Sequence, residues 1–202
     1  MKLHSAAASP FARKVRMAAL ELGLLSQIQV VDTAVVPGKT DASYGESVNP
    51  LRKIPALEVP TGPAIVDSSL ICEYLDSLKG GNALIPAEGD SRWRVLNSQV
   101  VANGIMEAAL LLRYESTLRS EENRLPVWMD EQWMKIRSGL AWFESTRPES
   151  ETTIDGIALA CALGYLDFRF EDFDWRRDYS SLALWHDKAS QRDAYLLTDP
   201  AG

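Results

Sequence analysis

Cysteine is scarce in this chain, with Cys72 and Cys161 the only two in 202 residues. Each lies within an apolar helical pattern, and they form no C-x-x-C pair. That excludes a disulfide-stapled scaffold and reads as two buried free thiols. Histidine is equally sparse: His4 and His186 offer no general-base pairing, and both read as structural. Positive charge is in deficit, since 21 Lys and Arg against 28 Asp and Glu leave a net charge of -7. Without a basic stripe, neither nucleic acid nor an anionic membrane is expected as a partner. The one basic cluster, Arg13, Lys14 and Arg16, reads as a solvated helix face. No apolar run approaches the roughly 18 residues of a membrane span. The start Met1-Lys2-Leu3-His4-Ser5 lacks the apolar stretch of a secretory leader. These absences favour the cytoplasm. No internal repeat or low-complexity stretch stands out.

What remains is an ordinary globular composition, 46% hydrophobic and 24% charged, in a length between one large domain and two small ones. Residues 1–79 alternate strand and helix patterns. A short apolar start is followed by Phe11, Val15, Ala18, Ala19 and Leu22 at helical spacing, with Gly23 as the stop. Residues 27–31 read as a strand, and residues 33–49 as loop with room for a short helix. Residues 56–59 and 64–66 read as two strands joined by Pro60-Thr61-Gly62-Pro63. Residues 68–78 are helical, with Leu70, Ile71, Tyr74, Leu75 and Leu78 on one face. The order βαβ, loop, ββα predicts a small mixed sheet with helices packed on it. Residues 80–90 form a linker, and residues 91–202 read as an all-helical bundle. Its helices are predicted over 91–118, 126–145, 154–168, 180–189 and 193–197. In the third of these, Asp155 is the only charge from Ile154 to Leu166, so that helix is predicted to be buried nearly all round.

Three short motifs can carry chemistry. Ser9-Pro10 opens the first helix: proline suits a first turn, where its missing N–H would be unpaired anyway, and serine suits the cap. A plain cap is one reading. The other is that a helix N-terminus favours anions and lowers the pKa of a thiolate held there, to which a serine hydroxyl can donate. Ile54-Pro55, after Lys53, heads a strand. A trans bond is the default, whereas a cis bond would turn the Ile54 backbone outward to pair with a peptide-like ligand. Val66-Asp67-Ser68-Ser69 ends a strand and opens a helix. Ser68 there is a natural cap, or its hydroxyl and the first amides take a carboxylate while Asp67 faces an ammonium.

Together, in this order, the motifs resemble the thioredoxin-like half of a cytosolic glutathione transferase. Ser9-Pro10-Phe11-Ala12-Arg13-Lys14-Val15-Arg16, Asn49-Pro50-Leu51-Arg52-Lys53-Ile54-Pro55-Ala56-Leu57 and Asp67-Ser68-Ser69-Leu70-Ile71-Cys72-Glu73-Tyr74-Leu75 carry the likeness. Residues 155–168 resemble the central helix of a bacterial, serine-type branch, as do Leu112-Arg113-Tyr114-Glu115 and Leu184-Trp185-His186. Thr152-Thr153-Ile154-Asp155 resembles the family's buried capping box, with Thr152 as the cap and Asp155 reaching back.

The resemblance implies a thioredoxin-like N-terminal domain, an all-α C-terminal domain and a homodimer. It implies glutathione as co-substrate, no metal, and attack on a small electrophile of the kind met in detoxification. Ser9 would hold the thiolate, with Ser5 as a rival hydroxyl. The Ile54 backbone, before a cis Pro55, would pair with the cysteinyl unit. Asp67 and Ser68 would hold the γ-glutamyl end, Lys53 would lie near the glycyl carboxylate, and Phe11, counted with the glutathione-binding residues, would border the second-substrate pocket. Met106, Leu110 and Tyr114 would line a second-substrate pocket or simply pack the core. Serine rather than cysteine before Pro10 argues against mixed-disulfide chemistry, and His4 leaves a tyrosine mechanism unsupported. Glutathione-dependent reduction of disulfides or peroxides, and a non-catalytic binding protein, are the alternatives.

Overall fold

The computed structural model describes residues 1–38 and 40–200. They form two compact units, one of Met1–Arg92 joined by the segment from Asp193 onward, the other Trp93–Arg192.

The first unit is built on three strands, β1 (Lys2–Ser5), β2 (Gln29–Asp32) and β3 (Ala56–Glu58), in the order β2-β1-β3. β1 runs parallel to β2 and antiparallel to β3. Leu3 faces Leu57 across β1 and β3, and both are fully buried. The strand predicted over 64–66 is reduced to a single bridge, Leu57 with Ile65. Those two residues exchange both backbone hydrogen bonds, at 3.0 and 2.9 Å. In an antiparallel ladder the next exchanging pairs lie two residues away on either side, here Val59 with Pro63 and Pro55 with Asp67. Each contains a proline with no N–H to give, so the ladder stops.

Helices α1 (Pro10–Glu21) and α3 (Ser68–Ser77) pack against each other. Ala12, Val15, Ala18 and Ala19 of α1 and Ile71 and Leu75 of α3 are fully buried with Leu3 and Leu57. A short helix α2 (Ala42–Ser47) lies between β2 and β3. The basic cluster on α1 is not a solvated face. Arg13 is 3% exposed and Lys14 is completely enclosed. Arg13 stacks on the Tyr195 ring at 4.0 Å, donates to the Tyr195 carbonyl at 2.9 Å and reaches the Thr198 hydroxyl at 3.3 Å. Lys14 Nζ donates to Ser69 Oγ at 3.3 Å. The charges are drawn in because α1 is covered by α3 on one flank and by α9 (Asp193–Leu196) on another. Residues from 193 on, expected with the helical half, thereby join the first unit. Residues after α3 are held by Asp76, whose buried carboxylate accepts the amides of Ala83, Leu84 and Ile85 at 3.0, 3.0 and 3.2 Å.

The second unit takes α4 (Gly89–Leu118) from Trp93, then α5 (Pro126–Ser145), α6 (Ile154–Arg169), α7 (Trp175–Asp178) and α8 (Ser180–Ala189). Every residue of α6 from Ile154 to Leu166 is buried, as its near lack of charge requires. The capping box differs in register. Thr153, not Thr152, is the N-cap, and its hydroxyl donates back to the Ser150 carbonyl at 3.0 Å. The preceding turn is tied instead through Ser150 Oγ, which accepts the Thr152 amide at 3.1 Å. Asp155 is buried, and burial raises its pKa. Glu144 of α5 caps α8, accepting the amides of Ser181 and Leu182 at 3.0 and 2.8 Å. Among the described residues, α4 is the one helix long and apolar enough by length and composition to cross a membrane. Nearly half of that stretch is buried inside the protein.

Candidate functional site

Ser9 sits at the N-terminus of α1 in extended backbone and caps it, its Oγ accepting the Ala12 amide at 3.3 Å. Pro10 follows at the first helical position and spends no donor. With Oγ used as an acceptor, the Ser9 hydroxyl proton has no acceptor among the described residues, and neither has the Phe11 amide. A half-buried helix terminus with one O–H and one N–H uncommitted is suited to an anion. Ser5, the rival hydroxyl, lies on β1 and is 2% exposed. Phe11 is half-buried in the first turn of α1.

The second element is the loop before β3. The Lys53 carbonyl is gripped by two donors, Tyr44 Oη at 2.8 Å and Asn49 Nδ2 at 2.7 Å. Asn49 also accepts the Leu51 amide at 3.0 Å through its side chain and the Arg52 amide at 2.8 Å through its carbonyl. Arg52 takes a positive φ of 51° to complete the turn. Asn49 is thus a buried scaffold for residues 51–53. Tyr44 stands over it, its pKa pushed up to about 12 by burial. The Lys53 side chain is exposed. The Ile54–Pro55 bond is cis. The Ile54 N–H and C=O make no hydrogen bond among the described residues.

The third element opens α3. Asp67, not Ser68, is its N-cap: Asp67 Oδ1 accepts the Ser69 amide at 2.9 Å, and the Asp67 carbonyl accepts that of Ile71 at 2.9 Å. Ser68 is the first helical residue and is buried, while Asp67 is exposed. The amides of Ser68 and Leu70 have no acceptor among the described residues. The Val66–Asp67 peptide is cis as well. So α3 offers free amides beside a carboxylate, a pairing complementary to a zwitterionic amino-acid group.

His4 of β1 links Glu58 of β3 to Thr33, the residue after β2. Its Nε2 lies 2.8 Å from Glu58 Oε1 and its Nδ1 lies 3.0 Å from Thr33 Oγ1. The hydrogen bond with His4 is the chief reason the Glu58 carboxyl is held below its usual pKa. His186 packs edge-on to Trp175 and touches Arg176, which forks onto Asp167 at 2.7 Å through both nitrogens. Both histidines are framework residues.

In the second unit Met106 is fully enclosed, while Leu110 and Tyr114 are half-buried. Burial raises the Tyr114 pKa. A cavity of about 490 Å³ between α4 and α5 is lined by Ile105, Ala108, Leu111, Lys135 and Trp142 among others, and none of the three residues borders it. No group of three or more potential metal ligands occurs among the described residues.

Residues 8–78 match the glutathione S-transferase N-terminal domain, and residues 126–188 match the glutathione S-transferase C-terminal domain. The chain belongs to the glutathione S-transferase family. A glutathione transferase family member from Pseudomonas fluorescens Pf-5, crystallised with bound glutathione, is 41% identical, with a TM-score of 0.92 over 98% of each chain. A glutathione S-transferase from Methylobacillus flagellatus KT with glutathione bound is 31% identical, with a TM-score of 0.86 over 98% of each chain. The uncharacterized GST-like protein YibF of Escherichia coli K12 is 29% identical, covering 99% of this chain and 98% of its own. For this glutathione S-transferase family chain, sequence reasoning missed Tyr44 and Asn49 as the side chains that hold the loop before Pro55. Asn49 alone left a signal, as a polar residue directly before Pro50.

Proposed function

We propose that this chain is a glutathione transferase in which Ser9 holds the glutathione thiolate. The observation that carries the reading is the Ser9 hydroxyl. It is anchored as an acceptor by Ala12 and keeps its proton uncommitted at a helix N-terminus. Two relatives that bind glutathione support the ligand. The cysteinyl unit pairs with the Ile54 backbone next to Pro55. The γ-glutamyl end meets Ser68, the free α3 amides and Asp67, and Lys53 reaches toward the glycyl carboxylate. Phe11 borders the second-substrate pocket.

In the reaction the thiol loses its proton to solvent, and the sulfur forms a bond to an electrophilic carbon. The electron pair leaves with a displaced group or moves onto the far atom of a double bond. Ser9 keeps its own proton throughout and donates a hydrogen bond to the thiolate. Lowering the thiol pKa by about two corresponds to about 2.7 kcal/mol in favour of thiolate, within reach of one charge-assisted hydrogen bond and a helix terminus. Of the second-substrate candidates, Leu110 and Tyr114 have surface to offer an electrophile, whereas Met106 serves the core.

Calorimetric titration with glutathione, followed by turnover with an aryl halide, tests the proposal. Binding below millimolar and measurable conjugation are expected; absence of binding overturns it. Exposed Trp93, Val100, Val127 and Met134 on α4 and α5 support a homodimer, which sedimentation tests. Residence in the cytoplasm completes the reading.

A further inference from the structure

With a net charge of -7, the chain has carboxylates in surplus for its arginines to pair with. Arg92, Arg119 and Arg176 each take one, from Glu73, Glu115 and Asp167. Arg113 of α4 and Arg169 of α6 do not. Both are half-buried, and neither pairs with a carboxylate among the described residues. They converge on one phenol: an Arg169 N–H donates to the Tyr165 hydroxyl, and Arg113 and Tyr114 lie within electrostatic reach of the same group. The Arg169 guanidinium stacks on the Phe168 ring at 4.0 Å, and its Nε is enclosed with no hydrogen-bond partner among the described residues. A buried N–H without an acceptor is rare, because it has given up water and gained nothing in return. The C-terminal dipole of α6 offsets only part of the Arg169 charge, and Arg113 lies outside the last turn of α4. Burial raises the pKa of both phenols, so each adds an O–H rather than a negative charge. Two cations and two phenols are thus gathered without an anion among the described residues.

We infer that the second substrate carries a carboxylate, held by Arg113 and Arg169 at the end of the pocket that Tyr114 borders. This rests on the glutathione transferase reading proposed above and names the class of its electrophile: small and anionic rather than wholly apolar. The planar fork of a guanidinium matches the two oxygens of a carboxylate. Phe168 and Tyr165 hold the Arg169 fork in place before any ligand arrives. A half-buried charge is screened less than one at the open surface, so the acidic end of the substrate contributes strongly to its affinity. Leu110, one turn before Tyr114 and also half-buried, offers apolar contact to the rest.

The test compares three ligands on the full chain by calorimetry: glutathione, S-(4-carboxybenzyl)glutathione and S-(4-carbamoylbenzyl)glutathione. The two conjugates differ only in a carboxylate against an amide of nearly the same shape. Wild type is expected to bind the carboxylate about tenfold more tightly than the amide. In Arg113→Met and in Arg169→Met that preference falls about threefold each, and in the double variant it disappears. Arg113→Lys and Arg169→Lys keep the charge but lose the fork, and are expected to lower the preference part-way; they carry the test where the Met variants do not fold. Equal weakening of both conjugates in the Met variants, or a preference unchanged in both Lys variants where the Met variants are unfolded, overturns the inference. Wild type that binds glutathione without preferring the carboxylate to the amide overturns the anionic substrate alone. Wild type that binds none of the three overturns the glutathione reading as well.

Discussion

The phenol of Tyr44 donates to the carbonyl of Lys53 at 2.8 Å, and Asn49 approaches the same oxygen at 2.7 Å. One carbonyl with two side-chain donors fixes the peptide immediately before Ile54. Tyr44→Phe leaves Asn49 in place and is expected to cost about 0.5–1.5 kcal/mol of stability and to weaken glutathione binding a few-fold. Asn49→Ala removes the Lys53 contact and the side-chain acceptor for Leu51 together. A loss of about 1–3 kcal/mol is expected, with a larger drop in affinity. Urea unfolding and glutathione titration of the two variants check the order.

For Ser9→Ala, the proposed donor to the thiolate is lost while Pro10 and the free Phe11 amide remain. The pKa of the bound thiol is expected to rise and conjugation near neutral pH to slow about tenfold, roughly the value of one charge-assisted hydrogen bond. Affinity should change less than rate. Ultraviolet titration of the bound thiolate, set beside the pH–rate profile, reads both. An unchanged profile would move the role to Ser5 or to the amides alone.

The His4–Glu58 contact sets an acid dependence. Glu58 has a folded-state pKa below its ordinary 4.5. The unfolded chain therefore takes up this proton first as pH falls. The pair's contribution is complete above the unfolded value and disappears as pH drops through the folded one. Because Glu58 is partly exposed, the contribution is discounted for solvent screening. Glu58→Gln is expected to lower Tm by about 1–3 °C near neutral pH. The gap from wild type should close in thermal scans carried below pH 4.5.

Gly156 stands where a Cβ would collide with the Ser150 carbonyl and lie 2.9 Å from Glu151 Cα. Both obstacles are backbone, so neither can turn aside as a side chain would. Gly156→Ala is expected to cost about 1–3 kcal/mol and to lower Tm accordingly. Circular dichroism melts suffice, with Gly104→Ala as the comparison: its Cβ would meet nothing within 4 Å.

Much of the helical architecture was legible in the sequence. Pro126 marks the start of α5, and the long interval without charge after Asp155 marks α6 as enclosed. The proposed site was legible as an order of motifs, because Ser9-Pro10 and Asp67-Ser68 each announce a helix start. Which residue caps was not. Asp67 and Ser68 both suit the position, and the backbone at Asp67 decides between them. The burial of Arg13 and Lys14 was equally hidden, since their partners Tyr195, Thr198 and Ser69 lie far along the chain. Local charge says nothing of such distant acceptors. The missing ladder over 64–66 was readable in principle, from Pro55 and Pro63 falling on the exchanging pairs.

Arg13 clasping Tyr195 and Thr198 also bears on how the chain is made. The proposed glutathione-binding half is discontinuous, with all of Trp93–Arg192 inserted between its two pieces. On a ribosome, the sheet and α1 emerge first but wait for residues 193–198 before Arg13 finds its acceptors. The helical half, continuous in sequence, can close earlier. Maturation of the proposed binding half is thereby tied to the synthesis of residues 193–198, and a chain cut short at residue 192 would leave a guanidinium without the partners it is buried against.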